Sequence, residues 1–253
     1  MNFTLSSSLR KILQPFYTAW VVITFVAGFF INFPFFVLLS FGNNAQARKV
    51  IYQIIKFWSK IWLWIIGMPI TRLGAPPANR RHIIVANHIS YLDTIILFDG
   101  LPGYFRALGK KEFSKVPLIG FLYKQIVIMV DRSNAQSRAK SMRLMWRVLK
   151  NEGDIIIFPE GTFNETRQPL KEFYNGAFRL AITTQTPILP VIFPDTEDRW
   201  HYSGWWKIWP GKNRVVYLEP VEVAGLTIEQ LPELKETTYN IMEAGLRKYR
   251  TYV

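Results

Sequence analysis

The run Ile83-Ile84-Val85-Ala86-Asn87-His88-Ile89-Ser90-Tyr91-Leu92-Asp93 decides how the rest of the chain is read. Its four leading apolar residues read as a short buried strand. Ser90, with Asp93 three positions later, reads as the capping box of an apolar helix over Leu92–Phe98. His88 then falls in the turn between strand and helix, where α/β folds expose catalytic side chains. On one continuous helix His88 and Asp93 would stand about 140° apart and face different ways. With the histidine in the turn and the aspartate in the first helical turn, the two can meet. An imidazole oriented by a carboxylate is a general base for a hydroxyl nucleophile. The same residues also allow a plainer outcome, in which Asp93 only caps the helix and His88 is structural.

Outward from this stretch, strands and helices alternate. Strands are expected at His82–Ala86, Tyr104–Leu108, Ile126–Val130, Asp154–Phe158, Ile188–Phe193 and Arg214–Leu218. Helices are expected at Ala135–Asn151, Asn175–Thr184 and over the C-terminal Leu231–Tyr252. This is the pattern of an α/β fold, a mostly parallel sheet covered by helices. The region from Trp200 to Pro210, with Trp205, Trp206 and Trp209, reads as an insertion or hairpin. It could touch membrane or acyl chain, or pack its aromatics inside.

Toward the N-terminus the composition changes. Phe16 to Phe41 carries no charge over roughly 25 residues, enough to cross a hydrocarbon core of about 30 Å. Ala45-Gln46-Ala47 resembles a signal-peptidase site, but the apolar run exceeds the usual signal core of about 7–15 residues, so a retained membrane helix is expected. Pro34 marks a possible kink, and a half-inserted helix is the other geometry. From Lys49 to Ile66, Lys49, Gln53, Lys56 and Lys60 share one helical face, and isoleucines and tryptophans cover the rest. A basic, Trp-rich amphipathic helix suits the headgroup boundary of an anionic bilayer. A second span, or a helix packed on the following domain, fits the same pattern. Gly67, Pro69 and Gly74-Ala75-Pro76-Pro77-Ala78-Asn79 then mark a boundary. The expected organisation is membrane-spanning or membrane-embedded helices over residues 1–74 and an α/β domain over residues 75–253.

Composition narrows the chemistry. A net charge of +13 and a pI near 9.9 imply an anionic partner, whether membrane surface, phosphorylated substrate or nucleic acid. Nucleic acid is set aside, because no recognisable nucleic-acid motif organises the basic residues and the apolar N-terminus fits poorly. The absence of cysteine excludes a thiolate nucleophile, disulfides and cysteine-ligated metal. Only 3 histidines, at 82, 88 and 201, argue against a histidine-rich metal site.

A second stretch, Phe158-Pro159-Glu160-Gly161-Thr162, joins the first. Together, Asn87-His88-x4-Asp93 and Pro159-Glu160-Gly161-Thr162 resemble the two leading motifs of the lysophosphatidic-acid acyltransferase family, in that order and at similar separation. These are membrane enzymes of the glycerolipid acyltransferase superfamily, which acylate a glycerol hydroxyl from an acyl thioester. The resemblance covers roughly residues 80 to 195. It implies His88 as the base and Asp93 as its orienting partner, acting by direct attack without an acyl-enzyme. Leu108-Gly109-Lys110-Lys111-Glu112-Phe113 and Val130-Asp131-Arg132-Ser133 resemble the segments whose cations hold the acceptor's phosphate, a role carried to Lys110 and Arg132. Gly161 would let backbone approach substrate. Glu160 is expected to accept a substrate hydroxyl or an orienting cation, with Thr162 beside it. Pro187-Ile188-Leu189-Pro190-Val191 matches the last, apolar motif.

One position departs. The family's usual residue after Gly-Thr is arginine; here it is Phe163, with Arg167 and Lys171 following in the same loop as possible replacements. The resemblance implies acyl transfer from acyl-CoA or an acyl-carrier-protein thioester to lysophosphatidic acid, giving phosphatidic acid, without metal or bound cofactor. Expected partners are a lysophospholipid acceptor, the acyl donor and an anionic membrane surface. The expected location is the cytoplasmic membrane with the catalytic domain facing the cytoplasm, since Arg48, Lys49, Lys56 and Lys60 follow the apolar run. Phe163 keeps a second acceptor class open, a lyso-ornithine or lyso-glycine lipid. A catalytically silent, membrane-binding relative is the alternative of another kind.

Overall fold

A computed structural model describes residues 7–42, 44–77, 79–131, 133–166 and 168–250. Two long helices lead, α1 (Ser7–Ser40) and α2 (Ala45–Ile65), followed by β1 (Ile70–Leu73), β2 (Ile83–Ala86) and α3 (Asp93–Gly100). Then come β3 (Phe105–Lys110), α4 (Ile119–Ile126), β4 (Val127–Val130), α5 (Ala135–Asn151) and β5 (Asp154–Ile157). The chain finishes with α6 (Gly176–Thr184), β6 (Ile188–Ile192), α7 (Thr196–Arg199), β7 (Asn213–Tyr217) and α8 (Leu231–Tyr249). The expected strands all form, each within a residue or two of the sequence reading.

One seven-stranded sheet runs in the order β1-β7-β6-β2-β5-β3-β4. The five strands from β6 to β4 are parallel, and β7 joins them antiparallel with β1 parallel beside it. The fold is therefore α/β, with β2 the central strand of the seven, flanked by the parallel β6 and β5. Successive residues of a strand point to opposite faces, and the two cores follow that alternation. Ile83, Val85, Ile155 and Ile157 face a layer built from α5, α6 and α8, including Met145, Phe178 and Met242. Ile84, Ala86 and Ile156 face the other layer, where Leu92 just ahead of α3 and Ile96 and Leu97 within it pack with Tyr52, Trp62 and Leu63 of α2.

That second layer revises the picture of the N-terminal region. α2 shares a core with the sheet, so the expected boundary at residue 74 does not separate two cores. Part of its basic face is turned to protein. Lys56 Nζ donates to the carbonyls of Leu101 and Pro102 at 2.9 and 2.7 Å, at the C-terminal end of α3 where a cation complements the helix dipole. Arg48 pairs with Glu152 at 3.3 Å, and Lys49 lies 5.9 Å above the Tyr104 ring. Gln53 and Lys60 remain exposed.

α1 behaves differently. It runs unbroken through Pro15 and Pro34 and is the one described helix long and apolar enough to cross a membrane. It lies against α2, where Trp62 Nε1 donates to Thr24 Oγ1 at 3.1 Å and Gly28 admits the Trp58 ring into the space a Cβ would fill. Its other side carries Phe16, Ile23, Phe30, Ile31 and Leu38 exposed, continued by Phe57 and Trp64 of α2. The short edge strand β1 was not visible in the sequence, because four residues between a glycine turn and a proline-rich loop give too little pattern.

Candidate active site

The site begins where β2 leaves the sheet. Asn87 extends the pairing with β6 by side chain, accepting from Phe193 N at 2.7 Å and donating to Phe193 O at 3.3 Å. This frees the backbone at His88 to turn out of the sheet. Asp93, fully buried at the start of α3, closes that turn. Its Oδ2 accepts from Ile89 N at 2.7 Å and Ser90 N at 2.8 Å, and lies 3.0 Å from His88 Nδ1. One carboxylate oxygen thus both ties the turn that leads into α3 and lies against the imidazole; α3 itself starts after Leu92 with no side-chain cap, so the expected capping box does not form as such. With Nδ1 donating to Asp93, Nε2 is the nitrogen left to take a proton.

The ring is fixed on its faces as well. Phe158 stacks on the imidazole at 4.1 Å with 15° between planes, and Phe163 meets it edge-on at 4.5 Å. Tyr91 packs on Phe163 at 4.9 Å. The residue standing where an arginine was expected is therefore part of the frame around the imidazole. The His88 side chain keeps 16% of its surface exposed, so it is held but reachable.

Glu160 serves the same turn from below. It is 1% exposed, and its two oxygens accept from His88 N at 2.8 Å and Lys171 N at 2.9 Å. The sequence expectation of a substrate or cation acceptor is replaced by a strap that joins the two motifs through backbone. Burial pushes its carboxyl up to about 7, against the lowering by those two backbone donors, and the Asp93 charge adds to the rise. Asn164 N also donates to His88 O at 2.7 Å, so both sides of the His88 peptide are tied to the loop after β5. Gly161 turns that loop with φ of 75°, a left-handed conformation that favours glycine.

The cations sort into three cases. Lys171 Nζ donates to Thr162 Oγ1 at 2.8 Å, bringing an ammonium to the turn where the arginine is missing. Lys110 is exposed at the end of β3, and strand register aligns it with Asn87, one residue before His88. Two strand spacings separate β3 from β2, roughly 10 Å. Arg132 and Arg167 lie outside the described residues. The aromatic frame of Phe158 and Phe163 was missed in the sequence, where neither residue's neighbour across the fold could be read.

A turn histidine oriented by a buried aspartate, on the carboxyl edge of a mostly parallel sheet with lysines nearby, can deprotonate a hydroxyl as it attacks an acyl carbon. Residues 70–194 match the family model described as Acyltransferase. The 1-acyl-sn-glycerol-3-phosphate acyltransferase of Limnanthes douglasii is 30% identical over 186 residues, covering 73% of this chain and 66% of that protein. The enzyme of that name from Cocos nucifera is 32% identical over 165 residues, 64% of this chain and 53% of its own length. The alpha form from Mus musculus is 25% identical across 98% of this chain and 85% of the relative. The chain thus spans between half and two thirds of the plant relatives' length. The crystal structure of the 1-acyl-sn-glycerophosphate acyltransferase PlsC from Thermotoga maritima superposes with a TM-score of 0.72 at 24% identity, over 95% of this chain and 96% of that one, and establishes the fold. The family match makes residues 70–194 an acyltransferase domain. Within that class, the chain is similar to the 1-acyl-sn-glycerol-3-phosphate acyltransferases.

Proposed function

We propose that this protein moves a fatty acyl group from a thioester donor to the free hydroxyl of lysophosphatidic acid, forming phosphatidic acid at a membrane surface. The observation that carries the reading is His88 Nδ1 at 3.0 Å from the buried Asp93 carboxylate, its ring clamped by Phe158 and Phe163. His88 Nε2 takes the hydroxyl proton as the oxygen attacks the thioester carbonyl. The tetrahedral adduct then expels the thiolate, which takes up a proton. Asp93 stabilises the imidazolium and fixes its tautomer. No serine or cysteine nucleophile enters, and the acyl group passes directly to the acceptor.

The phosphate of the acceptor calls for cations placed away from the base. Lys171 beside Thr162 and Lys110 on the same sheet edge supply them, with Arg132 and Arg167 as further candidates. Lys171 favours the phosphate acceptor over a lyso-ornithine or lyso-glycine lipid, because it restores charge at the turn where Phe163 stands. The outward apolar side of α1 holds the enzyme to the lipid phase. The lysines and Arg48 that follow it favour a cytoplasmic catalytic domain.

An acceptor panel with one labelled acyl thioester tests the reading. Lysophosphatidic acid should be acylated at least tenfold faster than a lyso-aminolipid, and thiol release should depend on the acceptor. Turnover of the aminolipid with none of lysophosphatidic acid would reverse the acceptor assignment. No acceptor-dependent thiol release from any lysolipid would overturn the catalytic one.

A further inference from the structure

The region from Trp200 to Pro210 forms a hairpin with no part in the chemistry above. Trp200 and Ile208 make an antiparallel bridge, and His201 N donates to Lys207 O at 3.2 Å. Its root grips the catalytic turn. Ser90, two residues from the base, bridges His201 and donates through Oγ to Trp200 O at 2.6 Å. Tyr91 packs on Trp200 at 5.6 Å.

Its far side is fastened to α1. Thr18 Oγ1 donates to Trp206 O at 2.8 Å, Gln14 Nε2 donates to Ile208 O at 3.4 Å, and Tyr17 packs on Trp209 at 5.8 Å. The tip is left outside. Trp205 and Trp206 are 59% and 52% exposed, with Lys207 exposed beside them. Between the tip and α1 lies a cleft of about 670 Å³, walled by Pro15, Ala19, Val22, Ile23 and the two tryptophans, with Lys11 at its rim.

An exposed tryptophan pair in water is costly, since each indole carries a large apolar area. Trp with Lys is the composition of the bilayer headgroup region, where an indole is half solvated and an ammonium meets lipid phosphate. The cleft is continuous with the exposed apolar side of α1. Arg10, 5.3 Å from the Trp209 ring, adds a further cation beside Lys11 and Lys207. We infer that the Trp205–Trp206 tip is a second lipid-contacting element, seated in the headgroup layer of an anionic bilayer, and that the hairpin fixes the catalytic turn at that surface. The inference rests on the membrane-bound reading above.

The absence of native cysteine makes the test direct. The full-length Trp205→Cys variant is labelled with an environment-sensitive fluorophore, and Glu236→Cys on exposed α8 serves as reference. Each is mixed with phosphatidylcholine vesicles with and without phosphatidylglycerol. The tip label should shift to the blue and become shielded from aqueous iodide, more strongly with phosphatidylglycerol, while the α8 label stays unchanged. A Trp205→Glu/Trp206→Glu variant should lose on the order of tenfold in transfer to acceptor presented in vesicles. It should stay within about twofold of wild type on a short-chain, monomeric acceptor, because the base and its frame are untouched. A tip label that stays in water while the protein sediments with vesicles would overturn the inference and leave the membrane enzyme standing. Equal losses on both acceptors would make the tryptophans structural and overturn it too. Failure of every labelled variant to sediment with vesicles would sink the membrane-bound reading itself.

Discussion

The carboxyl edge of the sheet is built in two ways. At the β2–β5 end the groups are committed to one another. Asp93 Oδ2 takes two backbone donors as well as the imidazole, Glu160 takes two more, and aromatic rings hold His88 on two sides. At the β3 end Lys110 is paired with β4 by backbone and accepts from Tyr123 Oη at 3.0 Å through its carbonyl, while its side chain is exposed and bonded to none of the described residues. On the proposed function, the contrast separates two tasks. Proton transfer needs a base fixed in tautomer and angle before substrate arrives. Holding a phosphate needs charge at the right distance, which a flexible lysine supplies on contact.

Substitutions at the two ends should therefore fail differently. His88→Ala removes the base and should lower kcat by roughly 10²–10⁴ with a folded, membrane-bound protein. Steady-state transfer with labelled donor, beside a circular-dichroism check, reads this out. Next comes Glu160→Gln, which turns one acceptor oxygen into a donor facing a backbone N–H. It should lower kcat about tenfold with KM for either substrate near wild type, since it acts through the position of His88. Lys171→Met should raise KM for lysophosphatidic acid about tenfold, and Lys110→Met by a few fold because it is exposed, with donor KM unchanged in both. Loss of kcat without a KM effect in the lysine variants would erase the contrast between the fixed base and the phosphate-holding cations.

Glu160 also gives a pH signature. Its folded pKa of about 7 lies above the ordinary 4.5, so the folded state binds this proton more tightly than the unfolded one. Its share of stability is then greatest below the unfolded value and falls as pH rises through the window up to about 7, by at most about 3 kcal/mol. Chemical unfolding of wild type and Glu160→Gln at several pH values should show the wild type losing ground to the variant across that window. A constant difference would mean that Glu160 does not titrate there.

Much of this is legible in the sequence. Ile83–Ala86 reads as a buried strand because all four positions are apolar, and it is one. Ala135–Asn151 is expected as a helix that stops at Gly153, and it forms with those limits; the structure adds the Asn134 side chain accepting from Ser137 N at its start. The pairing of His88 with Asp93 was readable because both lie within one local turn. What was hidden depends on distant contacts. Phe163 reads as a missing arginine in sequence, yet in the fold it is the ring edge on His88. Glu160 reads as an acceptor for a substrate hydroxyl or a cation, but the loop folds under the His88 turn and buries it. α2 reads as a surface-seeking basic helix, since nothing local says that Lys56 caps α3 or that Trp62 enters the sheet's core.

The central claim is that His88 and Asp93 act as one unit. A double-mutant cycle on kcat with His88→Ala, Asp93→Asn and the combined variant, all in the same vesicles with lysophosphatidic acid, tests it most directly. Each single change should be severe, and the double variant should be no more than a few fold worse than His88→Ala alone, because Asp93 has no imidazole left to orient. If the two losses instead multiply, Asp93 acts independently of His88, and the base–carboxylate pair is not the engine of the reaction.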